Sequence, residues 1–417
     1  MPPRPDACSG RVYNSRMIAS APATPPASAP VAERDIARLG QVFTPPEIVE
    51  AMLGLRRRFG RTLDPAAGDG AFSSRIPDCT AIELDAHFAP PGARVQDFFA
   101  YPAEEKFDTI IGNPPYVRYQ YIRNATRALF APGRLDGRAN LYLFFIDKCL
   151  DHLAPGGELI FITPRDFLKA TSSAPLNERL YREGTITDFV ELGDARVFDG
   201  ALPNCAIWRF EKGNHSHRTL DGRRMVLSGG QLAFSRGIYS VPLAEVFAVK
   251  VGAVSGADDI YTHDELGNID FVCSTTARTG QTRRMIFNEA LDYLQPFKPR
   301  LIARRVRRFD ESNWWQWGRQ HHVSERPRVY VNNRTRNARP FFLHPSIHYD
   351  GSILALFPHQ PHADLAALCA LLNAVDWHEL GFVCDGRFLF AQRSLEQAML
   401  PEDFAPWAVS QGGLRSV

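Results

Sequence analysis

The chain has 417 residues, 48 Lys and Arg against 46 Asp and Glu, and is 45% hydrophobic. That leaves room for two average domains with a sizeable core and excludes a wholly disordered chain. No apolar run approaches the roughly 18 residues of a membrane helix. Seven cysteines without a Cys-x-x-Cys pair favour a reduced, cytoplasmic protein without a zinc site.

Residues 1–33 are rich in Ala, Pro and Ser and carry no helical or strand periodicity, so a disordered tail is expected there. Arg4, Arg11 and Arg16 give it a transit-peptide flavour, but no apolar signal segment follows, and Met17 is a second candidate start. A first domain is expected over 34–212. Thr44-Pro-Pro-Glu47 has capping-box spacing, and Ile48, Met52 and Leu55 supply an apolar face. Strands are expected at Arg61–Leu63, Thr80–Leu84, Arg94–Phe98, Thr109–Ile111, Glu158–Thr163, Ile186–Leu192 and Cys205–Phe210. The clearest helix is Ala139–Leu153, stopped by Pro155-Gly-Gly157. Strands alternating with helices predict an α/β fold with a mostly parallel, Rossmann-like sheet. The first two crossovers are short for parallel strands and contain Pro77 and Pro90-Pro91, so their helices should be stunted. A linker is expected over 213–239, with Gly229-Gly230 inside it, and a mixed α+β domain over 240–417 that ends on a helix at Asp364–Leu372.

The chemistry concentrates where strands end. Leu63-Asp-Pro-Ala-Ala-Gly-Asp-Gly-Ala-Phe72 runs a strand into a turn with Gly68 and Gly70, which let a ligand approach the backbone closely. Glu83 ends the second strand, where a carboxylate can accept from both hydroxyls of a ribose. Asp97-Phe98 ends the third, pairing an acceptor for an adenine amine with an aromatic to stack on the base. Three acidic strand ends in series fit a nucleoside site.

Asn113-Pro-Pro-Tyr116 follows the strand Phe107-Asp-Thr-Ile-Ile-Gly112. An exocyclic amine is a poor nucleophile because its lone pair is delocalised into the ring. The Asn113 side-chain oxygen and the Pro114 carbonyl can accept its two hydrogens and free that lone pair for attack on a methyl group. Positive charge then grows on nitrogen, where fixed acceptors stabilise it. Tyr116 can stack on the base, and Pro114-Pro115 stiffen the loop.

From Gly40 to Lys212 the chain resembles, motif by motif, the gamma-class adenine-N6 DNA methyltransferases of restriction–modification systems. Gln41-Val-Phe-Thr-Pro-Pro-Glu47 is similar to the family's first cofactor motif and implies Thr44 beside the methionine moiety of S-adenosylmethionine. The resemblance places Asp64, Ala66, Gly68, Gly70, Glu83, Leu84, Asp97 and Phe98 at cofactor positions and Asn113, Pro114, Pro115 and Tyr116 in the catalytic loop. Asn140-Leu-Tyr142 resembles the helix beside that loop, and Phe198 in Arg196-Val-Phe-Asp-Gly200 the aromatic that packs on a flipped adenine. It implies S-adenosylmethionine as cofactor, double-stranded DNA as partner, a cognate restriction endonuclease alongside, and no metal. Ala67 and Asp69 stand where the family more often has Cys and Ser.

The second half resembles the family's target-recognition domain only loosely, through Val251-Gly-Ala-Val-Ser-Gly256 and Gly386-Arg-Phe-Leu-Phe390. Between Arg278 and Arg339 there are 15 Lys or Arg and 5 Asp or Glu, a local +10 in a chain of net +2. Such a stretch fits a polyanion-binding face or a solvated surface. Arg304, Arg305, Arg307 and Arg308 are candidates for phosphate or base contacts. Trp314, Trp315 and Trp317 are candidates for core or DNA. His344/His348 and His359/His362 have ligand-like spacing, but Pro345 and Pro358 interrupt their surroundings. The alternative functions are methyl transfer to an RNA base or a protein glutamine, which pose the same chemical problem, and a non-catalytic DNA-binding subunit.

Overall fold

A seven-stranded sheet organises the first half: β1 (Thr62–Asp64), β2 (Cys79–Glu83), β3 (Arg94–Val95), β4 (Phe107–Gly112), β5 (Leu153–Pro164), β6 (Gly184–Glu191) and β7 (Cys205–Lys212), in the order β3-β2-β1-β4-β5-β7-β6. β7 runs antiparallel to β5 and β6, while β1 to β5 pair in parallel. This is the mostly parallel, Rossmann-like arrangement expected from the alternating pattern. The computed structural model describes residues 42–192, 204–384 and 386–409. The expected disordered tail over 1–33 and Phe198 lie outside the described residues.

Side chains alternate across the strands and give the sheet two apolar faces. Ile110, Leu159, Phe161, Trp208 and Phe210 pack on one side with helix α2 (Leu141–His152). Ile111, Ile160, Ile162 and Ile207 pack on the other with helix α1 (Pro46–Leu53), through Ile48, Val49 and Met52. α2 is buried over most of its circumference, and its Phe144 stacks on Phe130 with ring centroids 4.0 Å apart. It ends at His152, one residue short of the expected Leu153. The chain turns directly into β5, and Pro155-Gly-Gly157 falls where the pairing of β5 with β4 shifts register.

The first crossovers are as short as the prolines suggested. Only a single 3₁₀ turn, Ser73–Arg75, lies between β1 and β2, and no helix lies between β2 and β3. Pro90 of that second connection folds over the glycine turn. Gly70 has φ +87°, and a β-carbon there would stand 2.9 Å from the Pro90 Cβ. Behind the sheet, Glu158 accepts from the amides of Arg57 and Arg58 at 2.9 Å and from Arg209 of β7 at 2.7 Å. That buried network fixes the segment after α1.

Residues 213–239, expected as a linker, hold a hairpin, Arg224–Ser228 with Gln231–Ser235. Gly229-Gly230 is its two-residue turn and not a flexible spacer. Met225, Leu232 and Phe234 join the first core, Phe234 stacking on Phe189 at 4.7 Å. The second half centres on a four-stranded antiparallel sheet of Phe247–Val251, Ile353–Pro358, Val329–Asn332 and Phe341–Phe342. A helix at Leu365–Ala374 packs on it, and Asp364 caps that helix by accepting from the amides of Ala366 and Ala367.

Candidate active site

A cavity of about 310 Å³ opens at the carboxyl ends of β1, β2 and β4, where parallel sheets place their ligands. Ala66, Gly68, Glu83, Leu84, Asp97 and Asn113 are on its wall, and Phe98 and Pro115 also line it. Gly68, at φ +53°, has open space where a side chain would stand, so its backbone is free to approach a ligand.

The acidic strand ends are held by the backbone. Glu83 Oε2 accepts from the Gly68 amide at 2.8 Å, and Oε1 accepts from the Asp85 amide at 2.9 Å. Each oxygen keeps a second lone pair for a ligand. Asp97 Oδ1 accepts from the Phe99 amide at 2.9 Å, and Oδ2 accepts from the Thr126 hydroxyl at 2.6 Å. Leu84 is 44% exposed and offers the cavity an apolar face. Phe98 is 3% exposed and stacks on Phe145, centroids 5.2 Å apart. Its ring therefore has little face left for a base, and the strand expected to run to Phe98 stops at Val95 and gives way to a 3₁₀ turn.

Asp64 stands apart from these two. It is wholly buried at the end of β1, and that burial pushes its carboxyl up to about 8, with the charge of Glu83 adding to the rise. In the unfolded chain the carboxyl titrates near the ordinary aspartate value of about 3.9. Between these limits the folded protein holds the extra proton, so this group's contribution to stability falls as pH rises from about 4 to about 8. Asp64→Asn is expected to remove that slope. A melting-temperature series across this range should be flatter for the variant, and parallel curves would refute the assignment.

The Asn113–Tyr116 loop leaves β4 at Gly112. The Asn113 Nδ2 donates to the Val42 carbonyl at 3.3 Å and to the Thr44 hydroxyl at 3.2 Å. A carbonyl can only accept, so the amide nitrogen must face Val42. The Asn113 Oδ1 is buried and has no hydrogen-bond partner among the described residues. Pro114 is buried, and Tyr116 does not line the cavity. The half-buried Tyr116 ring meets Tyr142 edge-on at 5.8 Å, and its hydroxyl donates to the Ile162 carbonyl at 2.9 Å.

The expected capping role of Thr44 is not observed. α1 begins at Pro46 with Pro45 as its N-cap, and the Pro45 carbonyl receives the amides of Ile48 and Val49. The Thr44 hydroxyl turns instead to Asn113.

Residues 83–198 match the model of the Eco57I restriction–modification methylase family. The type II methyltransferase M.TthHB8I of Thermus thermophilus is 34% identical over 208 residues, 45% of this chain and 48% of the relative. M.HincII of Haemophilus influenzae is 28% identical over 190 residues, 42% of this chain and 38% of the relative. Over these segments the chain is similar to restriction–modification methyltransferases. The matches span less than half the length of these relatives. The type IIL restriction–modification enzyme MmeI, solved in complex with DNA, shares the fold with TM-score 0.54 over 83% of this chain and 63% of that one, at 11% identity.

Several residues of this site carry no motif signal. Thr126, which holds Asp97, sits 29 residues further on in a single helical turn. Val42 acts through its carbonyl, which residue type does not report. Ile122 and Phe145 complete the apolar wall. In the second half, Trp314 and Trp317 are core residues at 4% and 2% exposure. Arg304 is buried as well, and donates to the carbonyls of Leu301, Ser255, Trp314 and Gln316 at 2.5 to 2.9 Å. It is therefore not available to DNA, whereas Arg305, Arg307 and Arg308 are exposed.

Proposed function

We propose that the chain transfers a methyl group from S-adenosylmethionine to the exocyclic N6 amine of an adenine flipped out of duplex DNA, as the modification component of a restriction–modification system. One observation carries the reading. Asn113 lines the strand-end cavity, its side-chain oxygen is buried with no hydrogen-bond partner among the described residues, and its nitrogen is held by Val42 and Thr44. A buried acceptor without a donor is costly, and an amine hydrogen is the donor that would satisfy it.

The cavity fits a nucleoside cofactor by its donor set. Glu83 keeps lone pairs for ribose hydroxyls, Asp97 for an adenine amine, and Leu84 and Ile122 supply apolar contact. When bound, S-adenosylmethionine supplies an electrophilic methyl on a positively charged sulfur. The chain's own work is on the nucleophile. The Asn113 Oδ1 and the Pro114 carbonyl accept the two amine hydrogens. The nitrogen then turns toward tetrahedral geometry, and its lone pair becomes available for in-line attack. Both acceptors are fixed in advance, so they stabilise the growing positive charge without reorganising.

Inside a duplex that amine is paired and out of reach, so the base must leave the stack, at a cost of a few kcal/mol. Tyr116 and Phe198 are proposed as its stacking partners, and the exposed Arg305, Arg307 and Arg308 as phosphate contacts. No helix among the described residues is long and apolar enough to cross a membrane, and the proposed setting is the cytoplasm.

The deciding experiment uses tritiated cofactor with duplex DNA, RNA and protein offered in parallel. Label is expected in duplex DNA, recovered after digestion as N6-methyladenine and not as methylcytosine. Label confined to RNA or protein would establish one of the alternative acceptors. No transfer to any of them would leave a DNA-binding subunit without catalysis.

A further inference from the structure

We propose that Thr44, together with the Val42 carbonyl, is a positioning residue that locks the Asn113 amide with its oxygen toward the substrate amine. The inference rests on the reading of Asn113 given above and assigns Thr44 a role in orienting the acceptor.

An asparagine amide has a donor end and an acceptor end of nearly the same shape. Only the acceptor end is useful for an amine. Turned over, Asn113 would aim two N–H groups at the hydrogens of the target and repel it. Its position after Gly112 does not decide between the two orientations. The neighbours do. The amide nitrogen has two hydrogens and two acceptors within reach, the Val42 carbonyl at 3.3 Å and the Thr44 hydroxyl at 3.2 Å. With both hydrogens engaged, the group can offer the cavity only its oxygen. Donation at the nitrogen also polarises the amide and strengthens that oxygen as an acceptor.

The lock is tied to the cofactor cavity by covalent continuity. Val42 and Phe43 are on the cavity wall, and Thr44 follows them directly. Pro45 and Pro46 then stiffen the chain into α1, whose Ile48, Val49 and Met52 are packed against the sheet. The segment that frames the cavity therefore also sets the orientation of the catalytic amide.

Thr44→Val removes the hydroxyl at constant shape, and Thr44→Ser keeps it. Three readouts on the full chain separate the possibilities: kcat and KM on a methylatable duplex, affinity for S-adenosylhomocysteine by calorimetry, and side-chain amide hydrogen exchange in ¹⁵N-asparagine-labelled protein. The Asn113 signal is identified by its loss in Asn113→Ala. Thr44→Val is expected to lower kcat about tenfold, in line with the loss of one oriented hydrogen bond. It should leave affinity for S-adenosylhomocysteine unchanged and speed exchange at the Asn113 nitrogen. Thr44→Ser should restore both kcat and protection. If Thr44→Val instead weakens S-adenosylhomocysteine binding while kcat holds, Thr44 serves the cofactor and the lock is refuted. Unchanged exchange in Thr44→Val refutes it as well. The exchange measurement needs no turnover, so it judges the lock even where the wild-type chain fails to methylate adenine, a result that would refute the functional reading separately.

Discussion

Asn113→Ala is expected to lower kcat by about 100- to 1000-fold, the usual size of losing one preorganised group that acts on developing charge. The strand-end cavity should survive the change. Its carboxylates Glu83 and Asp97 are fixed by Gly68, Asp85, Phe99 and Thr126, through hydrogen bonds that do not involve Asn113. Affinity for S-adenosylhomocysteine should therefore stay near the wild-type value while turnover collapses. Asn113→Asp is the sharper control. It retains an acceptor oxygen, but turns a second one onto the Val42 carbonyl, where the amide nitrogen had donated. Repulsion there should misplace the side chain, so Asp should rescue little. Single-turnover rates at saturating cofactor make the measurement. An alanine variant as fast as the parent would show that the buried Asn113 oxygen has no part in the reaction.

The parts of the site legible in the sequence are those where residue type and strand position coincide. Glu83 and Asn113 end or follow a strand, and their chemistry is written in the side chain. Most of the strands are likewise legible as short apolar runs, because a strand buried on both faces of its sheet reads as a continuous hydrophobic stretch; the exposed β3, Arg94–Val95, is not such a run. Other features depend on partners distant in sequence. Nothing near Thr44 reveals that its hydroxyl faces a side chain 69 residues away. Capping-box spacing favoured a local bond, and Pro45 as the cap displaced it. Phe98 was legible as an aromatic beside Asp97, but its stacking on Phe145 of α2 depends on tertiary packing. The Gly229-Gly230 pair read as a spacer because its flanking strands are short and only partly apolar, and the core that receives Met225 and Phe234 belongs to strands far upstream. Arginine was the least legible residue. A run of four says only that charge is present, and burial divides it into one structural group and three exposed ones.

That division sets two opposite expectations within five residues. Arg304→Ala should destabilise the second half by about 3 kcal/mol or more, because several buried carbonyls lose their donor at once. Arg304 is 8% exposed, and its guanidinium lies 3.9 Å from the centroid of the Phe309 ring and ties the Ser255 turn to the carbonyls of Trp314 and Gln316. Arg304→Lys should recover little, since one ammonium cannot span the fork that reaches four carbonyls. In a domain of this size the loss corresponds to a melting shift of about 6 to 12 °C. Replacing Arg305, Arg307 and Arg308 together by Ala should leave the melting temperature nearly unchanged. Arg307 loses one exposed hydrogen bond, to the Gln316 side chain. The triple variant should instead flatten the dependence of DNA binding on salt, by about 0.9 in the log–log slope for each phosphate contact removed. Calorimetric melting of both variants, with binding titrations from low to moderate salt, reads the two effects independently. A stable Arg304→Ala protein with a flattened slope would place Arg304 on the DNA and overturn the structural role. An unchanged slope in the triple variant would place the exposed arginines off the DNA path, and the polyanion-binding face would then have to be sought among the other cations between Arg278 and Arg339.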